Sequence, residues 1–313
     1  MARVSIGLPV YNGENYVEEA IVSVLNQTYS DLELLISDNA STDRTGQICR
    51  DYASSDSRIR YMCNERNLGA APNYNIVFEH STGTYFKWLA HDDRLLPPYV
   101  EVTAAALETR PRTVLCNTTT EYIDRQGAHL GSYKSILANA GGDQPAARLA
   151  AIILPSHTCI DFFGLIRRDA MRNSLLHQAF SGADKAFLAQ MALRGRLLQV
   201  NDALVQIREH PNRYTRESNS ARMKLAWHDT TRAGHIDLPT WTLYRIYCRL
   251  VETESLSDRD RAACRRVLRR FWFCSWNGAR LAADVLSIPF PRAVDLAFRL
   301  KYKLFGAPGN FLE

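Results

Sequence analysis

The chain predicts an α/β domain followed by a helical, basic C-terminal region. Short apolar runs of strand type alternate with segments of helical spacing over the first two hundred residues, which is how a βα sheet reads. Each of the first four apolar runs ends in a polar cluster. After residues 210–220, a polar, turn-rich stretch, the pattern is helical throughout and rich in Arg, Trp and Tyr.

Taken in order, Arg3 to Leu8 is the first strand, ended by Pro9. Val17, Ala20, Ile21, Val24 and Leu25 then fall on one helical face. Leu32 to Ser37 is a second strand, Ser41-Thr42-Asp43 starts a helix running toward Tyr52, and Arg58 to Cys63 is a third strand. A helix over Ala71 to His80 precedes a fourth strand over Tyr85 to Leu89. Pro97 or Pro98 opens a helix to about Thr109, and Thr113 to Asn117 is a fifth strand. Beyond it, residues 141–145 form a loop, Arg148 to Ile153 a short helix and Phe162 to Ile166 a strand. Ala183 to Leu193 is a helix, and Leu197 to Val200 a strand returning to the core.

The 313 residues suffice for a large core. No run reaches the roughly 18 apolar residues of a membrane-spanning helix, and the apolar N-terminal stretch is too short for a signal peptide, so the expected location is cytoplasmic. Seven scattered cysteines without a CxxC pair suit reduced, mostly buried thiols better than disulfides or a zinc site. The net charge is +5. From Thr240 to Glu313 there are 13 Lys and Arg against 7 Asp and Glu, so the whole basic excess sits in the last quarter.

The polar clusters are Pro9-Val10-Tyr11-Asn12, Ser37-Asp38-Asn39-Ala40-Ser41-Thr42-Asp43, Asn64-Glu65-Arg66-Asn67-Leu68-Gly69 and His91-Asp92-Asp93. In an open α/β sheet they share the carboxyl edge, where ligands bind. Paired carboxylates at a strand's end hold a hard cation such as Mg²⁺ or Mn²⁺. Equally, they cap the helix that opens near Pro97. As a site, the clusters read as a nucleoside-diphosphate pocket, with Asp38 accepting from base or ribose, Arg66 meeting phosphate or base, and a cation on Asp93.

With these four ordered motifs, residues 3 to 215 or so resemble the family 2 glycosyltransferases, inverting enzymes that use nucleotide-activated sugars. The resemblance implies the GT-A, Rossmann-like fold, a mixed, mostly parallel sheet flanked by helices, with a catalytic domain over 1–215 and a helical basic region over 216–313. It places Pro9, Tyr11, Asn12, Asp38, Asn39, Arg66 and Asn67 against the nucleotide, Asp92 on ribose or donor sugar, and Asp93 on a divalent cation, Mn²⁺ or Mg²⁺. His91 stands where the usual Asp-x-Asp motif has its first Asp, and is expected to orient or support. The general base that inversion requires falls on Asp184, in Ser181-Gly182-Ala183-Asp184-Lys185, where helix capping is a compatible role. His210, in Val205-Gln206-Ile207-Arg208-Glu209-His210, resembles a residue that approaches metal or diphosphate; a surface His explains it too. His157 and Asp161 either face the acceptor or are structural.

The implied activity is transfer of a sugar to a hydroxyl of a glycan or lipid-linked acceptor in cell-surface polysaccharide assembly. The alternatives are a nucleotidyltransferase acting on sugar phosphates, which would want a Gly-rich, basic phosphate loop that Pro9 to Gly13 is not, and a non-catalytic sugar-nucleotide-binding protein. Acceptor loops are expected near Tyr133 to Gln144 and Asn212 to Ser220. In the tail, Arg261, Arg265, Arg266, Arg269 and Arg270 share one helical face, while Cys264, Val267, Leu268, Phe271 and Trp272 share another; Arg299, Lys301 and Lys303 with Phe298, Tyr302 and Phe305 repeat the theme. Such a helix lies peripherally on anionic lipid or packs its apolar face on the catalytic domain. No nucleic-acid-binding module is present.

Overall fold

The computed structural model describes residues 3–133, 135–210, 228, 238–274 and 276–286. Nine strands form one sheet: β1 (Val4–Val10), β2 (Leu32–Asp38), β3 (Ile59–Cys63), β4 (Tyr85–Trp88), β5 (Arg94–Leu95), β6 (Thr113–Ile123), β7 (His129–Tyr133), β8 (Leu165–Arg167) and β9 (Arg196–Arg208). Their order is β3-β2-β1-β4-β8-β6-β9-β5, with β7 paired to β6. Pairing is parallel through β3-β2-β1-β4 and between β6 and β9; antiparallel pairing enters with β8. This is the expected mixed α/β architecture.

Helices cover both faces, so β1 and β2 are buried at every position. One core gathers α1 (Val17–Leu25), α2 (Thr45–Ser55) and α4 (Tyr99–Glu108) through Val17, Ile21, Cys49, Tyr99 and Leu107. The opposite core gathers α3 (Ala70–Glu79), α5 (Pro145–Ile153) and α7 (Ala183–Arg194) through Val77, Leu149 and Phe187. A single turn, α6 (Arg168–Met171), follows β8. The C-terminal helices α8 (Pro239–Thr253), α9 (Asp258–Phe271) and α10 (Asn277–Leu286) extend this second core. Tyr247, Cys264, Val267, Leu268, Phe271 and Leu281 are all buried in it. Of the two readings of the tail helix, the packed one is observed: the apolar stripe of α9 lies on the domain and Arg265, Arg266, Arg269 and Arg270 point outward, while Arg261 turns back to the carbonyls of Val251, Glu252, Glu254 and Leu256.

Several boundaries differ from expectation for physical reasons. Pro9 does not end β1 but lies inside it, pairing with Ser37. Its ring nitrogen faces the β4 side, where pairing already stops at Gly7 opposite Trp88, so no ladder bond is lost. Ser41 to Asp43 do not open α2, which begins at Thr45; Asp43 instead accepts the Thr45 N–H at 3.0 Å. Phe162 and Phe163 are not in a strand. Cys159, left-handed at φ 62°, leads into a 3₁₀ turn over Ile160–Phe163, and β8 follows it. That turn lays the Phe162 ring flat on Trp88 at 4.5 Å. The seven cysteines are free thiols, with Cys49, Cys116, Cys159 and Cys264 buried. The expected boundary near residue 215, the Asn212 to Ser220 loop and the second basic cluster at Arg299 to Phe305 lie outside the described residues.

Candidate active site

The first three strand-end loops fasten to one another through side chains. Asn12 donates its N–H to Ser41 Oγ at 2.9 Å and accepts the Thr42 N–H at 2.8 Å, and the Gly13 N–H reaches Thr45 Oγ1 at 2.8 Å. Asn39 bridges to the third loop: its amide donates to Asn67 Oδ1 at 2.9 Å, and its carbonyl oxygen accepts from Asn64 at 3.1 Å and from the Leu68 N–H at 2.9 Å. Asn73 of α3 closes the network on Ser37 and Val10. Polar residues at the first three strand ends thus form one floor because each satisfies a neighbour's side chain or backbone.

Above this floor opens a cavity of about 1040 Å³. Pro9, Tyr11, Asn12, Asn39, Asn67, Asp92, Asp93, Asp184 and His210 all line it, as does His91. A Cβ on Gly13 would stand 2.4 Å from the His91 ring, so glycine is what admits that ring there. Two expected nucleotide residues are placed otherwise. Asp38 is 1% exposed and not in the wall; its carboxylate accepts from the Ser41 N–H at 2.8 Å and from the Tyr61 hydroxyl at 2.8 Å. Arg66 is exposed and outside the wall.

Asp93 is not at an exposed mouth. It is 6% exposed, and its Oδ1 accepts the Arg208 N–H at 3.0 Å. His210 meets Asp92 rather than Asp93, with Nε2 2.9 Å from Asp92 Oδ2 and its ring 5.3 Å from that of Tyr16. Arg208, to which no role was assigned from sequence, organises this corner. Fully buried, it donates to the carbonyls of Asp92, Asp124 and Arg125 and to Glu19 at 2.6 Å, and lies over the Tyr16 ring at 4.6 Å. The one hint in the sequence is an Arg directly after apolar Ile207 in a strand.

Among the described residues no three or more His, Cys, Asp or Glu side chains cluster as a metal cage. Two adjacent carboxylates facing a roomy cavity suit a hard cation whose remaining shell comes from phosphate oxygens and water, so the donor set fits Mg²⁺ or Mn²⁺.

Across the cavity, Asp184 sits in the first turn of α7 behind Gly182, which is left-handed at φ 102°. Its Oδ1 accepts the Lys185 N–H at 2.8 Å, and the Cys159 thiol donates to the carboxylate. Burial raises its pKa above the carboxylate range, with the Lys185 ammonium opposing the shift. His157 lines the same wall; it donates from Nε2 to the Ile152 carbonyl at 2.9 Å, and burial lowers its pKa to about 4. Asp161 does not reach the cavity. It is fully buried, held by Ser135 Oγ at 2.7 Å and the Ile136 N–H at 3.3 Å, with its pKa raised to about 6 by burial. Lys87, also missed from sequence, is fully buried on β4; it donates to the Phe163 carbonyl and is lowered to about 7 by burial, tying the sheet to the turn over Ile160–Phe163 that lines the cavity.

The fold matches that of GT-A glycosyltransferases in solved structures. Staphylococcus aureus TarS 1–349 in complex with UDP-GlcNAc superimposes with a TM-score of 0.60 at 17% identity, over 88% of this chain and 74% of that one. The mannosyltransferase PcManGT from Pyrobaculum calidifontis, in complex with GDP-Man and Mn²⁺, gives 0.54 at 15% over 97% and 81%. At these identities the likeness speaks for fold. Family is settled by sequence: residues 5–175 match the glycosyl transferase family 2 model, and the chain belongs to that family. An uncharacterised glycosyltransferase of Rickettsia typhi is 42% identical over 99 residues, 31% of this chain and 30% of that protein. Another, from Haemophilus influenzae, is 28% identical over 236 residues, 71% of each chain. This chain thus matches less than a third of the length of the Rickettsia relative.

Proposed function

We propose that the chain transfers a sugar from a nucleoside-diphosphate sugar to a hydroxyl of a glycan or lipid-linked acceptor, with inversion, in the assembly of a cell-surface polysaccharide. The observation that carries this reading is that the strand-end pair Asp92 and Asp93 and the helix-borne Asp184 open into one cavity. A sugar-nucleotide-binding protein without turnover requires no base at that second position.

In this reading Asn12, Asn39, Asn67 and Tyr11 hold the nucleotide, and Asp38 acts from beneath by fixing the Ser41 turn. Asp93, with Asp92 beside it, would hold a Mn²⁺ or Mg²⁺ ion, which supplies charge neutralisation for the diphosphate. His210 orients Asp92 through their 2.9 Å hydrogen bond. Asp184 takes the acceptor's hydroxyl proton while that oxygen bonds to the anomeric carbon; the bond from that carbon to the diphosphate oxygen breaks and the diphosphate leaves with the electron pair. Burial makes Asp184 a stronger base than an ordinary carboxylate, as the task requires. No helix among the described residues is long and apolar enough to cross a membrane. The outward arginines of α9 suit a peripheral position on the inner face of an anionic membrane.

The test is release of nucleoside diphosphate from a panel of nucleotide sugars, with Mn²⁺ and a hydroxylated acceptor. Turnover that Asp184→Asn abolishes while donor binding persists supports the proposal. Donor binding with no transfer to any acceptor favours the binding-protein reading.

A further inference from the structure

The apolar stripe of α9 is spent on the domain core, so it is unavailable to lipid. The next corner behaves differently. Trp272 turns inward, edge-on to Trp241 at 5.4 Å and to Tyr244 at 5.2 Å. Phe273 and Trp276, on the same turn between α9 and α10, are 91% and 80% exposed. These are the two most exposed large apolar side chains among the described residues.

The described residues of the corner are hydrogen-bonded to one another. The Gly278 N–H bonds to the Trp272 carbonyl at 2.9 Å, the Asn277 N–H to the Cys274 carbonyl at 2.9 Å, and the buried Asn277 amide to the Phe271 carbonyl at 3.1 Å. Trp276 is left-handed at φ 59°, a conformation bulky residues seldom take and Gly or Asn would satisfy at less cost. The fold therefore holds an indole out into solvent in a strained conformation and gains no packing from it. Just behind the corner, Arg266, Arg269 and Arg270 are exposed along the outer face of α9, whereas Arg265 is engaged by Glu252 at 2.7 Å. Phe271, Asn277 and Arg280 on the inner side of the same corner contribute to the wall of the catalytic cavity.

We infer that Phe273 and Trp276 form a wedge that inserts into the headgroup region of an anionic bilayer, with Arg266, Arg269 and Arg270 binding lipid phosphates beside it. Aromatic rings favour that interface, and a cationic rim selects an anionic one. Because the corner borders the cavity, docking sets the acceptor side of the cavity at the lipid surface, where a lipid-linked acceptor resides. This last step rests on the transfer reading; the docking itself does not.

The experiment is co-sedimentation of the whole protein with phosphatidylcholine vesicles, with and without phosphatidylglycerol, beside sedimentation velocity without lipid. Wild type partitions onto the phosphatidylglycerol vesicles. Phe273→Ser with Trp276→Ser lowers the partition coefficient at least about tenfold, and Arg266→Gln, Arg269→Gln and Arg270→Gln together lower it on the order of 10²-fold. All variants keep the wild-type melting temperature, since the side chains are exposed. Vesicle binding unchanged in the aromatic variant overturns the inference, as does wild type that fails to bind. A wild-type dimer that the aromatic variant dissociates also overturns it and assigns the corner to a second copy of the chain. Vesicle binding by a protein that transfers no sugar would sink the transfer reading and leave the wedge standing.

Discussion

Replacing Asp184 by Asn separates catalysis from folding at the residue on which the mechanism turns. The substitution preserves shape, and the Asn carbonyl oxygen still accepts the 2.8 Å bond from the Lys185 N–H. It removes a charge whose burial is unfavourable, as the raised pKa records. Stability therefore holds or rises slightly; Gly182, not Asp184, is the N-cap of α7, so no capping bond is lost. The transfer rate falls by about 10²–10⁴, the usual worth of a positioned base, which is about 3–5.5 kcal/mol of barrier. Donor affinity stays within a factor of about two, since the base faces the acceptor. The pH profile carries a second signature. Wild-type activity falls as pH drops through the Asp184 pKa, and that acid limb stands above the ordinary carboxylate range because burial raises it. The assay is single-turnover transfer at saturating donor and acceptor, followed across pH, beside calorimetric donor binding. Turnover within a few fold of wild type, or an unchanged acid limb in the residual activity, refutes the assignment; Asp161 could not then substitute, because it is sealed from the cavity.

Other residues give independent outcomes. Asp93→Ala abolishes Mn²⁺-linked UDP affinity in calorimetry and also lowers stability by about 1–3 kcal/mol, because the buried Arg208 N–H loses its acceptor; metal-linked affinity equal to wild type contradicts the site. Arg208→Leu strips donors from three carbonyls and costs about 3 kcal/mol in urea unfolding, while raising donor KM through the loosened Asp92–Asp93 loop; a variant as stable as wild type contradicts its organising role. His177 is held neutral at about 3 by burial, against an ordinary 6.5. Its contribution is complete above pH 6.5 and is lost as pH falls, so between pH 7 and pH 5 the stability advantage of wild type over His177→Leu shrinks by about 2 kcal/mol. Asp161, raised to about 6, acts oppositely over that interval in both proteins and cancels in the comparison. A difference independent of pH would show that the imidazole is protonated or solvated in the folded state.

The strands β1 to β4 were legible as short apolar runs, and α1 by the helical spacing of Val17, Ala20, Ile21 and Val24. The site edge was legible because each polar cluster follows such a strand. What escaped the sequence was set by long-range partners. β5 is two residues long and exists through pairing with β9. β9 itself runs thirteen residues, past the polar Asn201-Asp202, because β6 extends beside it. The Phe162-Phe163 run looked like a strand, yet stacking on Trp88 and the left-handed Cys159 make it a turn. Asp38 belonged to the right loop, but whether its carboxylate faced ligand or backbone depended on Tyr61, on the neighbouring strand β3 and invisible to local spacing. Buried Lys87 and Arg208 sit within strands where the sequence gives at most an Arg after apolar Ile207, since only the assembled fold supplies their carbonyl partners.

The most direct test of the central claim, that one cavity joins a donor site at Asp93 to a base at Asp184, is nucleotide-sugar binding and turnover measured side by side in wild type and the two single variants. The account predicts that wild type binds and transfers with Mn²⁺ present, Asp93→Ala loses metal-linked binding, and Asp184→Asn binds the donor as wild type does but does not transfer it. Parallel losses of binding in both variants, or transfer surviving in Asp184→Asn, would contradict it.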